Sequence, residues 1–290
     1  VTVTPASSIS TIRPEIVRLG EVPSTQAIAF ELAAQGAPDR TVVLADHQTA
    51  GRGRLGRRWE DEPGASLLAS ILLRPRLEPH RLSLLSYVAA IAVAEALAGV
   101  ASLAPRLKWP NDVLVDGLKI AGILLESRMS GSTGRVGAPR SSSRPPTPQA
   151  GLAAPATTVG GADAQAGHAA PATTISVIAL GIGINLTQRQ FEAALAARAT
   201  SVALASGRTI DRETMLAAIL ERLDVWRARL EDEGFEPVRA RWLALSDTIG
   251  RQISIEGQTG LARDLDDDGA LILETSDGPR RVVAGEVREP

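Results

Sequence analysis

Residues 82–100 set the first constraint on this chain. They form its most apolar stretch, yet they carry Ser83, Ser86, Tyr87 and Glu95. The stretch therefore reads as a buried amphipathic helix over 81–97 and not as a membrane span. Such a helix needs a core to enclose it. With 290 residues, 44% of them hydrophobic, the chain has room for one large domain and a small one. Its charges nearly cancel, 31 Lys+Arg against 33 Asp+Glu for a formal net of -2. That balance gives no reason to expect bulk binding to nucleic acid or to an anionic membrane. Cysteine is absent, which excludes a disulfide framework, a thiol nucleophile and a thiolate metal site, and fits a reducing compartment. The 3 histidines are scattered at 47, 80 and 168, a poor basis for a histidine metal site. The first ten residues show neither a basic nor an apolar signal region, so no signal peptide is expected.

Strand and helix signals alternate along the rest. Residues 1–14 read as a loose leader. A helical pattern runs from Ser24-Thr25 to Gln35, with Gly36 as its stop. Strands are expected at 41–45, 67–73, 106–109, 113–115, 118–125 and 175–184, and Asp116-Gly117 is a hairpin signal. Residues 47–66 read as a polar loop rich in Gly and Arg. Asp211 is a candidate N-cap for a helix over 211–231, with Met215, Ile219, Leu223 and Trp226 on one face. A further helix is expected over 236–245. From Gly250 the pattern changes to short strands at 252–256, 261–264, 270–274 and 280–284, a small β-barrel of under fifty residues. Residues 128–174 fit neither pattern. They are rich in Gly, Ala, Pro, Ser and Thr and lack a hydrophobic period, so they read as a disordered insertion.

The strongest local signal is Gly51-Arg52-Gly53-Arg54-Leu55-Gly56-Arg57-Arg58-Trp59. Its glycine spacing imitates a dinucleotide fingerprint, but no helix follows directly, and the next element is a strand. Arginines between glycines suit a flexible loop whose NH groups and guanidinium forks close on an anion; the bland alternative is a solvated basic turn. Lys119 stands inside an otherwise apolar strand beside Ala121 and Gly122. It is either a snorkelling edge charge or a cation placed in a pocket.

Five segments in order carry a specific resemblance: Ser24-Thr25-Gln26, the loop ADHQTAGRGRLGRRW, KWPNDVLV, LKIAGILLE and LGIGIN. Together they resemble the biotin protein ligase family. The resemblance implies an α+β fold, with a mixed-sheet biotin/lipoate ligase-like catalytic domain (1–246, interrupted at 128–174) and an SH3-like β-barrel (247–290). It implies activation of biotin by ATP as biotinyl-5'-AMP, with Mg²⁺, and transfer to a lysine of a biotin carboxyl carrier domain in the cytoplasm. About two dozen residues precede Ser24. That is too few for the DNA-binding domain of some relatives, so the short form without DNA binding is expected.

The same resemblance assigns roles. Ser24, Thr25 and Gln48 would bond the ureido end of biotin. Gly51, Arg52 and Arg54 would belong to the loop closing over it, and Gly122, Gly181 and Gly183 would let backbone approach it. Arg54, Arg57, Trp59, Asn111 and Asn185 would meet the nucleotide. Lys119 would bridge the biotin carboxylate and α-phosphate, with Arg52, Arg54 and Asp112 completing the catalytic set. Arg288 is a doubtful match to a nucleotide-contacting arginine of some relatives. Two other readings compete. A lipoate ligase or octanoyl transferase of the same superfamily would carry an RRxSGGG-type loop, which is absent. A non-catalytic biotin or nucleotide sensor would not need Lys119 and the loop arginines.

Overall fold

The computed structural model describes residues 14–129 and 176–288. Nearly all of the expected leader and of the expected insertion at 128–174 lies outside them. Strand β1 (Ile16–Val22) leads into helix α1 (Thr25–Ala34), then β2 (Val42–Gln48) and β3 (Ser66–Leu73). A 3-10 turn at Pro79–Leu84 opens helix α2 (Leu85–Ala101). Strands β4 (Arg106–Lys108), β5 (Asp112–Val115), β6 (Leu118–Met129) and β7 (Ser176–Asn185) follow. Short helices α3 (Ala193–Ala196) and α4 (Val202–Ser206) precede α5 (Arg212–Glu233) and α6 (Glu236–Leu245). The chain closes with β8 (Gln252–Ile255), β9 (Gln258–Leu265), β10 (Leu271–Thr275) and β11 (Gly278–Val282).

The first seven strands form one mixed sheet in the order β1-β2-β3-β7-β6-β5-β4, with β1 parallel to β2. The last four form an antiparallel sheet in the order β11-β10-β9-β8. This is the expected α+β fold, and the small sheet fits an SH3-like C-terminal unit. Residues 14–128 and 176–288 belong to one compact unit.

Helix α2 organises the larger sheet. Its Val88, Ile91, Ala92 and Leu97 are all fully enclosed. It joins one core with the inward residues of β3 (Leu67, Ile71, Leu73) and β7 (Ile178, Leu180, Ile182, Ile184). Met215, Ile219, Leu223 and Trp226 of α5 close the same core from outside, the face read from their spacing. The Pro79–Ala101 segment is apolar enough by composition to cross a membrane, but most of it is buried inside this structure. Helix α1 covers the opposite sheet face with Ala29 and Phe30, against Val43, Leu72, Val177 and Ala179.

Three sequence expectations change. Strand β1 carried no clear signal, because its edge position leaves most of it partly exposed and blurs the alternation. The helix expected at 81–97 begins its α-helical part at Leu85, behind the 3-10 turn that Pro79 opens, and runs on to Ala101. The 47–66 segment is not all loop: β2 extends to Gln48, and a 3-10 turn spans Arg54–Gly56. Asp211 does cap α5, accepting a bond from Thr214 N at 3.0 Å. Because Ile91 is fully enclosed, Ile91→Ala should cost about 2–5 kcal/mol of stability. Urea unfolding followed by circular dichroism measures this; a loss below 1 kcal/mol, roughly the Ile→Val range, would mean that the α2 core is looser than its burial indicates.

Candidate functional site

Strand alternation builds the site floor. In β7, Ile178, Leu180, Ile182 and Ile184 point into the α2 core, so Ala179, Gly181, Gly183 and Asn185 take the other face. At Gly181 and Gly183 that face has no space for a larger residue. A Cβ on Gly183 would lie 2.7 Å from two ring atoms of Trp59. One on Gly122 would lie 3.0 Å from the same ring and 3.2 Å from Lys119 Nζ. One on Gly181 would press Gln26 at 3.1 Å. The Trp59 indole therefore lies on the glycine floor, and its buried Nε1 has no hydrogen-bond partner among the described residues.

One end of the cavity is polar and neutral. Gln48 Oε1 accepts two bonds from Thr25, from its N at 2.8 Å and its Oγ1 at 3.0 Å. With the carbonyl engaged, the Gln48 amide NH₂ is the group left to face a ligand. Thr25 Oγ1 is also 2.8 Å from Ser70 Oγ. Ser24 begins α1 as its N-cap residue but makes no side-chain capping bond, so its hydroxyl is uncommitted there. Gln26 Nε2 donates to Leu124 O at 3.0 Å and Ala179 O at 3.1 Å, tying α1 to β6 and β7.

The other end is cationic. Lys119 Nζ pairs with Asp112 Oδ1 at 2.6 Å and sits 5.8 Å from the Trp59 ring centroid. The Lys119 backbone is fixed on both sides, its N donating to Arg198 O and its O accepting from Thr200 N. Asn111 turns its amide back to donate to Ile123 O at 2.8 Å. Arg52 pairs with Glu126 at 2.8 Å, and Arg57 pairs with Glu286 of the C-terminal segment. Arg54 makes no side-chain hydrogen bond or ion pair among the described residues. Burial holds its pKa below the ordinary arginine value, and the Asp112 carboxylate partly offsets this. A half-desolvated guanidinium without an ion-pair partner is a ready receptor for an anion.

The cavity wall gathers Ser24, Thr25, Gln48, Gly122, Gly181 and Gly183 with Lys119 and Asp112. Arg52, Arg54, Arg57, Trp59 and Asn111 close it from the loop and turn side. Two expected residues are not on the wall. Gly51 lies behind it, where a Cβ would meet Trp59 O at 2.7 Å. Asn185 is buried, and its amide is spent on Thr200 O at 2.9 Å. Arg288 also lies off the wall and pairs with Glu286 at 3.4 Å. Sequence reasoning missed Gln26, Lys108 and Glu286, all of which line the cavity. Gln26 and Lys108 lay inside the recognised segments. Glu286 had no local signal, because only the fold brings it to the loop.

Comparison with known proteins places this geometry among relatives. Residues 19–137 match the biotin/lipoate A/B protein ligase family, and residues 248–288 match the biotin protein ligase C terminal domain. The chain is 34% identical over 278 residues to the biotin--[acetyl-CoA-carboxylase] ligase of Paracoccus denitrificans, covering 93% of this chain and 98% of that protein. It is 32% identical to the bifunctional ligase/repressor BirA of Bacillus spizizenii, covering 92% of this chain and 71% of that protein. Among solved structures it resembles the biotin protein ligase from Aquifex aeolicus in complex with biotin and ATP. That likeness has a TM-score of 0.70 at 26% identity, over 94% of this chain and 97% of that one.

The Trp59–Gly183 contact leads to a direct test. Gly183→Ala should push the indole off the floor, because the new methyl would overlap the ring. The emission contributed by Trp59, taken as the difference from Trp59→Phe, should move to longer wavelength. An unchanged difference spectrum would mean that the ring does not rest on Gly183.

Proposed function

The chain belongs to the biotin protein ligase family, and from that premise we infer how its residues carry out ATP-dependent attachment of biotin to a protein lysine. The carrying observation is one cavity with a neutral hydrogen-bonding end, a glycine floor and a cationic end. Biotin has matching parts: a ureido ring, a thin apolar body and a carboxylate. In this reading the ureido group meets Ser24, Thr25 and the Gln48 amide. The body lies on Gly181, Gly183 and Gly122, and the carboxylate reaches Lys119. The Trp59 ring lies against that floor, and in this reading it shifts to cover the bound intermediate.

Adenylation brings a carboxylate against the α-phosphate of ATP. The carboxylate oxygen bonds to phosphorus and pyrophosphate leaves. Two unit charges 4 Å apart repel by about 1 kcal/mol in water and ~4 kcal/mol at the effective dielectric of a protein site. Lys119, with Arg54 and Arg52 on the loop, offsets that repulsion and the growing charge at phosphorus. Asp112 holds the Lys119 ammonium in place. Arg57 and Asn111 border the nucleotide in this reading. Gly51 and Asn185 act from behind the wall, Gly51 by giving room to the loop and Asn185 by fixing the 199–200 backbone beside Lys119. In the second half-reaction the acceptor amine attacks the acyl carbon and AMP leaves. The loop excludes water from the mixed anhydride in between.

Mg²⁺ would enter with ATP, held mainly by phosphates and water, with Asp112 as the wall carboxylate next to Lys119; one carboxylate plus phosphates suits this ion. It would supply charge neutralisation on the phosphates. The partner is the biotin carboxyl carrier domain of a carboxylase, and the near-neutral net charge supports neither nucleic acid nor membrane as partner. The absence of cysteine and the demand for ATP support a cytoplasmic location. The catalytic and barrel domains divide at 246/247, with 128–174 as an insertion in the first.

Pyrophosphate release with biotin, ATP and Mg²⁺, run beside lipoate and octanoate, tests the reading. Release with lipoate and none with biotin would overturn it. Lys119→Ala should keep the fold and lower single-turnover formation of biotinyl-adenylate by about 10²–10³-fold, equivalent to the ~3–4 kcal/mol of a lost preorganised charge-stabilising group. A near-normal rate would remove Lys119 from the chemistry.

A further inference from the structure

Tyr87 is the single tyrosine of the chain. It lies in the first turn of α2, buried, with its ring edge-on to Phe235 and Trp242, both at 5.5 Å between centroids. Its hydroxyl stands where three parts of the fold meet. It donates to the carbonyl of Gly269, in the turn between β9 and β10 of the small sheet. It accepts from Trp109 Nε1 at 3.0 Å. Arg54 of the loop acts on it electrostatically. Burial holds the phenol above its ordinary pKa, so it keeps its proton and serves as both donor and acceptor.

Trp109 begins the turn that carries Asn111 and Asp112. Its own N donates to Thr248 Oγ1 at 2.9 Å, so the turn is gripped at the backbone and at the indole. The turn's far side is fixed by Asn111, whose carbonyl accepts from Ile123 N at 3.0 Å. The Gly269 contact is close: a Cβ there would lie 2.7 Å from Tyr87 Cε2. Packing alone would need only a phenyl ring at position 87. The hydroxyl adds a bonded link from the small sheet to the turn beside Lys119.

We propose that Tyr87 is a positioning residue: its hydroxyl locks the Trp109–Asp112 turn to the C-terminal sheet and so sets Asn111 and Asp112 for the nucleotide. This rests on reading the cavity as an ATP site. It assigns to the C-terminal sheet a part in nucleotide placement exerted through Tyr87, without direct contact.

The test is Tyr87→Phe in the full chain, which keeps the ring and removes the bonds. Hydrogen exchange of segment 107–114 should accelerate at least about tenfold, while segment 24–48 stays as in the wild type. In biotin-dependent pyrophosphate exchange, KM for ATP should rise about tenfold, with KM for biotin within about twofold. Trp109→Phe removes the same bond from the other side, and the double variant should be no worse than the poorer single one. It also serves as the test variant if Tyr87→Phe does not fold. Unchanged exchange in 107–114, an unchanged KM for ATP, or parallel rises for ATP and biotin would each overturn the proposal. A wild-type chain inactive with biotin would instead overturn the ligase reading, and the exchange measurement would still decide whether the hydroxyl holds the turn.

Discussion

Burial of one sheet face against α2 is the constraint on which the site depends. A strand has two faces, and consecutive side chains must alternate between them. Once α2 and α5 seal the first face, Ile178, Leu180, Ile182 and Ile184 are committed to it. The residues between them then have one destination, the face under α1 and the loop. There Ala179 packs with Phe30, while Gly181 and Gly183 leave a hollow. The core and the cavity are thus two readings of one strand. A shift of register by one residue would exchange them, filling the hollow with isoleucine and opening the core.

The cavity that results is polarised along its length. At the α1 end, side chains bond to one another without net charge, and Thr25 fixes which way Gln48 faces. At the β5–β6 end, the Lys119 cation is held by Asp112, while Arg54 is held by no ion pair among the described residues. A neutral polar end selects a ligand by geometry. A cationic end in partly dehydrated surroundings acts on charge. A ligand that places its carboxylate at the wrong end would leave the Gln48 amide and Arg54 mismatched together.

Much of this was legible in the sequence because the informative residues were locally anomalous. Lys119 in an apolar strand, arginines between glycines and an apolar helix with a few polar positions each violate a local expectation. Helix α5 was legible for the opposite reason, since its period and its Asp211 cap agree. What stayed hidden was set by tertiary structure. Glu286 is an ordinary charged residue whose place on the wall depends on the C-terminal segment meeting a loop far back along the chain. Asn185 ends a recognised segment, yet its amide is claimed by Thr200, a partner that sequence order does not reveal. Strand β1 has a half-exposed edge pattern, and the placement of residues 130–175 lies outside the described structure.

The strand order also has a consequence for how the molecule comes together. In the larger sheet, β7 lies between β3 on one side and β6 on the other. It joins a three-stranded half formed early in the chain to a second three-stranded half that follows α2. Each half can assemble from near neighbours in sequence, but neither alone has the glycine floor. Gly122 of β6 belongs to the floor, but Gly181 and Gly183 come with β7, beyond residues 130–175 in chain order. Loop closure over such a span costs entropy that grows only as the logarithm of its length, although pairings this distant slow folding. The binding hollow therefore depends on β7 pairing with both halves of the sheet at once. With the middle strand unpaired, the two halves have no floor of Gly181 and Gly183 between them.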